Sequence, residues 1–206
     1  PLVSGENFIC LRCFMSLARG QRETSGENDV WSKFVVFPEV TSARSFMSFE
    51  GNGPARKLVH AFKYDGQCAL AYFLGKLMAG ESEDFYRQSA WDYIIPVPLH
   101  RSRLRERGYN QSEFMARGFG DTLGIPVEAE LLTRFRKTKT QTGKDKLARW
   151  KSTAEMYAIA ENANLVGKNI LVLDDVVTTG ATVSGIIEIL INSKVNTIGV
   201  VSFAGE

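Results

Sequence analysis

An α/β fold with a mostly parallel central sheet flanked by helices is predicted by three stretches of the sequence. In the first, Ile170, Leu171, Val172 and Leu173 make a short apolar run, which reads as a strand buried on both faces. A turn of small and hydroxyl side chains follows, and Val183, Ile186, Ile187 and Leu190 then recur at helical spacing, so the order is strand, loop, helix. In the second, Tyr93-Ile-Ile-Pro-Val97 is another apolar run, with Pro96 placing its end. In the third, Thr197 to Phe203 supplies a last strand.

The bulk properties fit such a fold. The 206 residues allow one domain of ordinary size plus a small appendage, and a chain of this length buries roughly 70% of its unfolded surface without staples. With 44% hydrophobic and 23% charged residues the composition is that of a soluble globular protein, which excludes whole-chain disorder. A net charge of +2 says little about partners; its distribution says more. No apolar run approaches a membrane span, and no signal peptide opens the sequence. Three cysteines, two of them spaced Cys-x-x-Cys, suit a reducing compartment, so a cytoplasmic location is expected. The sequence begins at Pro1 without an initiator methionine, which points to a natural start upstream.

The first fifty residues differ in texture from the rest. Cys10-Leu-Arg-Cys13 has the spacing of half a zinc knuckle, whose two thiolates need two more ligands for a closed tetrahedral site. Cys68 is isolated, and His60 and His100 lie far off in sequence. Two thiolates alone hold zinc poorly, so the expectation here is a pair of reduced thiols, with zinc belonging to a longer parent protein. Residues 19 to 29 are polar and turn-rich and read as a surface linker.

A short strand is expected from Ala43 to Phe49. Gly51-Asn-Gly-Pro54 is punctuation, and Pro54 suits the first turn of a helix whose apolar face is Leu58, Ala61 and Phe62. Asp65-Gly66 interrupts it, and a second helix follows with Leu70, Phe73, Leu74 and Leu77 on one stripe. After the Tyr93–Val97 strand come Arg101, Arg103, Arg105 and Arg107, four guanidinium groups at alternate positions. Such forks bind phosphate bidentately, and a solvated basic loop or helix face is the competing reading. A helix is expected from Gln111 to Leu123 with Phe114, Met115 and Phe119 inward, then a short strand from Ile125 to Ala129. Gly118-Phe-Gly120 misses the dinucleotide spacing, because Leu123 occupies the third glycine position. Arg134 to Lys151 carries eight basic residues against one acid, Asp145, without apolar periodicity, and reads as a mobile basic loop. Nucleic-acid contact through these charges is a competing use. Trp150 and Tyr157 are expected to anchor its end to the body.

The stretch that carries chemistry is Asn169 to Ser184. Asp174 and Asp175 sit where its strand should end, and Thr178, Thr179, Gly180, Ala181 and Thr182 form the turn. Free N–H groups at a helix start, with the positive end of its dipole, make an anion site. Gly180 lets the backbone approach closely, and the threonine hydroxyls add donors without bulk. Ionised aspartates accept hydrogen bonds only, which suits a diol such as ribose. Phosphate beside ribose hydroxyls at the carboxyl end of a parallel strand describes a sugar phosphate.

Leu171 to Thr182 resembles the signature of type I phosphoribosyltransferases: apolar residues, two acids, two apolar residues, then Thr-Thr-Gly-x-Thr. The resemblance implies that Asp174 and Asp175, the candidate catalytic pair, hold the 2- and 3-hydroxyls of phosphoribosyl pyrophosphate (PRPP), and that Thr178 to Thr182 wrap its 5-phosphate. Pro96-Val-Pro98-Leu-His and Arg107-Gly-Tyr-Asn-Gln111 narrow this to a resemblance to the ComF/GntX family of phosphoribosyltransferase-like proteins, over Ala43 to about Phe203. The implied architecture is a zinc-knuckle remnant and linker over 1–42, then a phosphoribosyltransferase domain over 43–206, with a hood at roughly 43–90 and a core at roughly 91–206.

The resemblance also implies that Arg101, Arg103, Arg105 and Arg107 take the pyrophosphate. Arg136, Lys137, Lys139 and Lys144 would belong to a flexible loop that closes over the site, and Mg²⁺ would arrive with PRPP. Family members carry two Cys-x-x-Cys pairs; this chain keeps one, Cys10 and Cys13. The expected activity is transfer of the phosphoribosyl group to a nitrogen nucleophile with release of pyrophosphate, linked to DNA uptake. The alternative is a non-catalytic PRPP-sensing module that contacts single-stranded DNA or an uptake partner. Nothing in residues 30 to 90 names the acceptor.

Overall fold

The computed structural model describes residues 8–15, 17, 29–49, 53–135 and 156–206. Two short helical turns come first, α1 (Leu11–Met15) and α2 (Asp29–Ser32). They are followed by β1 (Val40–Ser48), α3 (Pro54–Tyr64), α4 (Cys68–Glu81), α5 (Glu83–Arg87), β2 (Tyr93–Pro96), α6 (Arg101–Arg107) and α7 (Gln111–Leu123). A small ribbon, β3 (Leu132–Arg134) with β4 (Tyr157–Ile159), precedes β5 (Asn169–Val177), α8 (Ala181–Asn192) and β6 (Thr197–Gly205).

The main sheet has the order β1-β6-β5-β2 and every pairing in it is parallel. β5 lies inside it, which is why its sequence is a continuous apolar run rather than an alternating one. Leu171 and Leu173 pack into a core shared with α3, α4 and α7, while Ile170 and Val172 pack into a second core with α8 and the ribbon. All four are fully buried, worth roughly 1.5–3 kcal/mol each relative to exposure. The α/β class with a parallel sheet flanked by helices is therefore as expected from the sequence.

Three local features differ from expectation. β1 begins at Val40, three residues before the expected strand, and pairs with β6 as an edge strand of the main sheet. Val30 and Phe34, upstream of the expected domain start at residue 43, are buried in the second core. Ile125 to Ala129 makes only one bridge, Val127 to Ile94. There the Ile94 N–H donates to the Pro126 carbonyl at 2.8 Å and Glu128 N–H donates to the Ile94 carbonyl at 2.9 Å. Pro126 has no N–H, so the ladder goes no further.

Gly118 proves to be a packing residue rather than part of a nucleotide loop. A Cβ there would stand 2.0 Å from the Tyr72 carbonyl oxygen, and one on Gly75 would stand 2.0 Å from that of Met115. The two glycines let α4 and α7 cross backbone to backbone. The Tyr72 hydroxyl, donating to Asp121 at 2.7 Å, ties the same pair of helices at the surface. Among the described residues no helix is long and apolar enough to cross a membrane.

Candidate functional site

β5 ends at the carboxyl edge of the sheet with Asp174 and Asp175, both buried despite their charge. A buried carboxylate needs partners, and the sequence supplies them from two helices. Asp175 Oδ2 accepts from the Gln111 amide at 2.7 Å and forms an ion pair with Lys63 at 2.8 Å. Asp174 Oδ1 accepts from the Asp175 N–H at 2.8 Å and from the Ser112 hydroxyl at 3.3 Å. Burial, and then the Asp175 charge beside it, push Asp174 up to about 7, with Lys63 working in the opposite direction. The two acceptors read from the sequence are thus unequal in their surroundings: Asp175 is paired with a cation, and Asp174 keeps its proton until near neutral pH.

Beyond Val177 the chain turns through Thr178 and Thr179, both exposed, into Gly180, whose φ of 74° is left-handed. Gly180 is the N-cap of α8, and no side chain caps that helix. The first N–H groups of a helix have no partner within it; the Thr179 hydroxyl reaches only that of Ala181, at 3.5 Å. A cavity of about 40 Å³ lies at this turn, lined by Asp174 and by Val176 through Val183. One expected phosphate-binding segment and one expected carboxylate are therefore brought together around one small space.

The stretch Arg107 to Ser112 explains itself bond by bond. The Arg107 guanidinium donates to the Gln111 side-chain oxygen, and the Tyr109 hydroxyl to the Phe62 carbonyl near the end of α3. The Asn110 amide donates to the Val97 carbonyl at 3.1 Å just past β2, while its oxygen caps α7 by accepting from Ser112 N–H at 3.2 Å. Gln111 and Ser112 then hold one aspartate each. The segment is a clamp that joins α3, β2 and α7 to the end of β5.

The arginine run is a helix, not a loop edge. In α6 the i, i+4 relation sorts the four into two faces. Arg103 and Arg107 line a cleft of about 210 Å³ together with Lys63, Tyr64, Gly66 and Glu106, whereas Arg101 and Arg105 do not. Arg107 also stands 5.6 Å from the Tyr64 ring centre, and Arg103 lies 3.6 Å from Glu106.

Arg136, Lys137, Lys139 and Lys144 fall outside the described residues, as does Trp150. The flanking residues are ordered as the β3–β4 ribbon, with Tyr157 buried as expected and Arg134, its neighbour across the ribbon, 5.5 Å from its ring. Cys10 and Cys13 lie together at α1, where the Cys13 N–H donates to the Cys10 sulfur at 3.4 Å. The neighbouring Cys10 sulfur pushes the exposed Cys13 thiol up from its ordinary value. They offer half of a tetrahedral ligand set. No group of three or more His, Cys, Asp and Glu side chains is placed to hold a metal among the described residues.

Lys63 and Ser112 were not singled out from sequence. Ser112 carries no signal beyond standing next to the motif. Lys63 does carry one: Ala55, Val59 and Phe62 are the buried residues of α3, and Lys63 continues that stripe one turn after Val59. A lysine on a core-facing stripe demands a buried acid.

A parallel sheet whose inner strand ends in an acidic pair and turns through Thr-Thr-Gly-Ala-Thr into a helix is an α/β arrangement of the kind that the resemblance to type I phosphoribosyltransferases implies. No protein-family model matches the chain. Its sequence is 29% identical over 150 residues to DNA utilization protein YhgH of Salmonella typhi, covering 71% of this chain and 65% of that protein. It is 28% identical over 141 residues to competence protein F of Haemophilus influenzae, covering 66% and 62%. These relatives bear out the resemblance to the ComF family, and the match spans about 65% of the length of the first of them. Among solved structures, an adenine phosphoribosyltransferase is similar with a TM-score of 0.45 and 17% identity, over 72% of this chain and 75% of that one.

Proposed function

We propose that this chain binds PRPP and transfers its phosphoribosyl group to a nitrogen nucleophile, releasing pyrophosphate, within a protein that serves DNA uptake or utilization. The observation that carries this reading is the uncapped start of α8 behind Gly180, directly after a strand ending in two buried carboxylates. The 5-phosphate sits on Thr178 to Thr182, where backbone N–H groups and the helix dipole meet an anion. Asp174 and Asp175 take the ribose hydroxyls. Arg103 and Arg107, in the cleft beside α3, take the pyrophosphate.

Departure of pyrophosphate builds positive charge at C1 of the ribose, which the nitrogen lone pair then captures, with the pyrophosphate carrying away the bonding electrons. The residues around the cleft act electrostatically, on charge that grows on the leaving group. Mg²⁺ fits a ligand of this kind because it binds phosphate oxygens and water with few protein donors, and its chemistry there is charge neutralisation. Calorimetric titration of the chain with PRPP and Mg²⁺ tests the site. A pyrophosphate-release assay with ammonia, glutamine and nucleobases tests the transfer.

A second reading is favoured by the exposed arginines of α6 and by the relatives' names, one of which speaks of DNA utilization and the other of competence: a non-catalytic module that senses PRPP and contacts single-stranded DNA or an uptake partner. DNA affinity that falls steeply with salt, without pyrophosphate release, selects it over the enzyme.

A further inference from the structure

Asp175 is served by donors from two different helices, and both reach the same oxygen. The Lys63 ammonium from α3 and the Gln111 amide from α7 each contact Oδ2, at 2.8 and 2.7 Å. Neither of them reaches Oδ1, and the Asp174 carboxyl is the remaining side-chain partner of Asp175. A carboxylate gripped through one oxygen cannot rotate freely, and its second oxygen points in a direction set by those grips. The grips are themselves fixed. Gln111 is held from behind by Arg107, and the end of α3 is held by Tyr109 on the Phe62 carbonyl, one residue before Lys63.

Lys63 is not spent on Asp175 alone. Its side chain stays 20% exposed, and it lines the 210 Å³ cleft that also holds Arg103 and Arg107. One ammonium therefore stands between an acceptor for hydroxyl groups and a cleft for anions.

We infer that Lys63 is a positioning residue of the sugar site: it fixes the Asp175 carboxylate through Oδ2 so that Oδ1, which Lys63 and Gln111 leave ungripped, is presented to the ribose hydroxyls. The inference rests on the PRPP reading above. Its content is that Lys63 acts through Asp175, so the two residues contribute as one unit rather than as independent contacts.

A double-mutant cycle on the whole chain tests it, with PRPP and Mg²⁺ titrated by calorimetry and folding checked by thermal melting. Lys63→Met lowers PRPP affinity about 10- to 100-fold, the range for a hydrogen bond to a charged group. Lys63→Arg, which keeps a cation toward Asp175, falls between the wild type and Lys63→Met. The double variant Lys63→Met with Asp175→Asn binds within about threefold of Asp175→Asn alone, since the partner through which Lys63 acts is already neutral. Should Lys63→Met fail to fold because the buried Asp175 loses its cation, Lys63→Gln, which keeps an amide donor, takes its place in the cycle. Wild-type affinity in Lys63→Met, or a double variant whose loss is the product of the two single losses, overturns the inference and leaves the PRPP site standing. A wild-type chain that gives no PRPP signal overturns the underlying reading instead, and this inference with it.

Discussion

Replacing Asp174 by asparagine separates what this residue does for binding from what it does to stability. In the folded chain burial and the Asp175 charge push its carboxyl from 3.8 up to about 7. The folded state therefore holds a proton at pH values where the unfolded state has released it. Its contribution to stability is complete below about pH 4, declines as pH rises through about 7, and is gone above that. At about 1.4 kcal/mol per unit, such a shift corresponds to a few kcal/mol at most. The groups that face the carboxyl are Asp175 on its own strand, Lys63 from α3, Ser112 from α7 and Tyr157 from β4. The oxygen of the substituted amide would still accept from Ser112 and from the Asp175 N–H, so only the charge is lost.

Asp174→Asn is thus expected to be more stable than the wild type at pH 8 by on the order of 1–3 kcal/mol, or several degrees in melting temperature. The gap should narrow steadily as pH falls toward 5, and the variant should bind PRPP more weakly at every pH. Thermal melts of both proteins from pH 5 to 8.5 read the difference. Curves that stay parallel across that range would refute the assignment of a neutral-pH proton to Asp174.

Asp175→Asn is expected to weaken PRPP binding at least tenfold in calorimetry while the chain stays folded, because the amide oxygen still accepts from Lys63 and Gln111. Gly118→Ala drives a methyl group into the Tyr72 carbonyl, a backbone atom that cannot step aside; a loss of about 3 kcal/mol in urea unfolding is expected, with the helical circular-dichroism signal otherwise native. At Gly180 an alanine meets a left-handed φ of 74° and the Phe34 ring at 3.2 Å. Gly180→Ala should cost about 1–2 kcal/mol and reduce affinity for inorganic phosphate more than it reduces stability, which a paired titration and melt will show.

The sheet was legible because its inner strands are buried on both faces, and such burial writes itself into sequence as unbroken apolar runs. β5 announces itself this way over Ile170 to Leu173, and the polar turn from Thr178 to Thr182 stands out from it by composition alone. Ile125 to Ala129 misled for a related reason: Val127 has the right side chain for a strand, but Pro126 next to it lacks the donor. The arginine run could not be sorted from its alternate spacing, and only the helix reveals that Arg103 and Arg107 share one face while Arg101 and Arg105 do not line the cleft. The partners of the aspartates were hidden by distance, since Lys63 lies more than a hundred residues before Asp175. Its one local trace was a charge standing on an apolar stripe.

The crossing at Gly75 and Gly118 has a consequence for how substrate preference can change. α4 belongs to the stretch expected to face the acceptor, and α7 carries at its first two positions the side chains that grip the acidic pair. With nothing but hydrogen between their backbones, the two helices have no room to slide, and a remodelled acceptor surface on α4 would drag the sugar ligands with it. Under the proposed function, change in acceptor choice would therefore be channelled into side chains and loops around α4, while the helix axis itself is held by its close packing on α7.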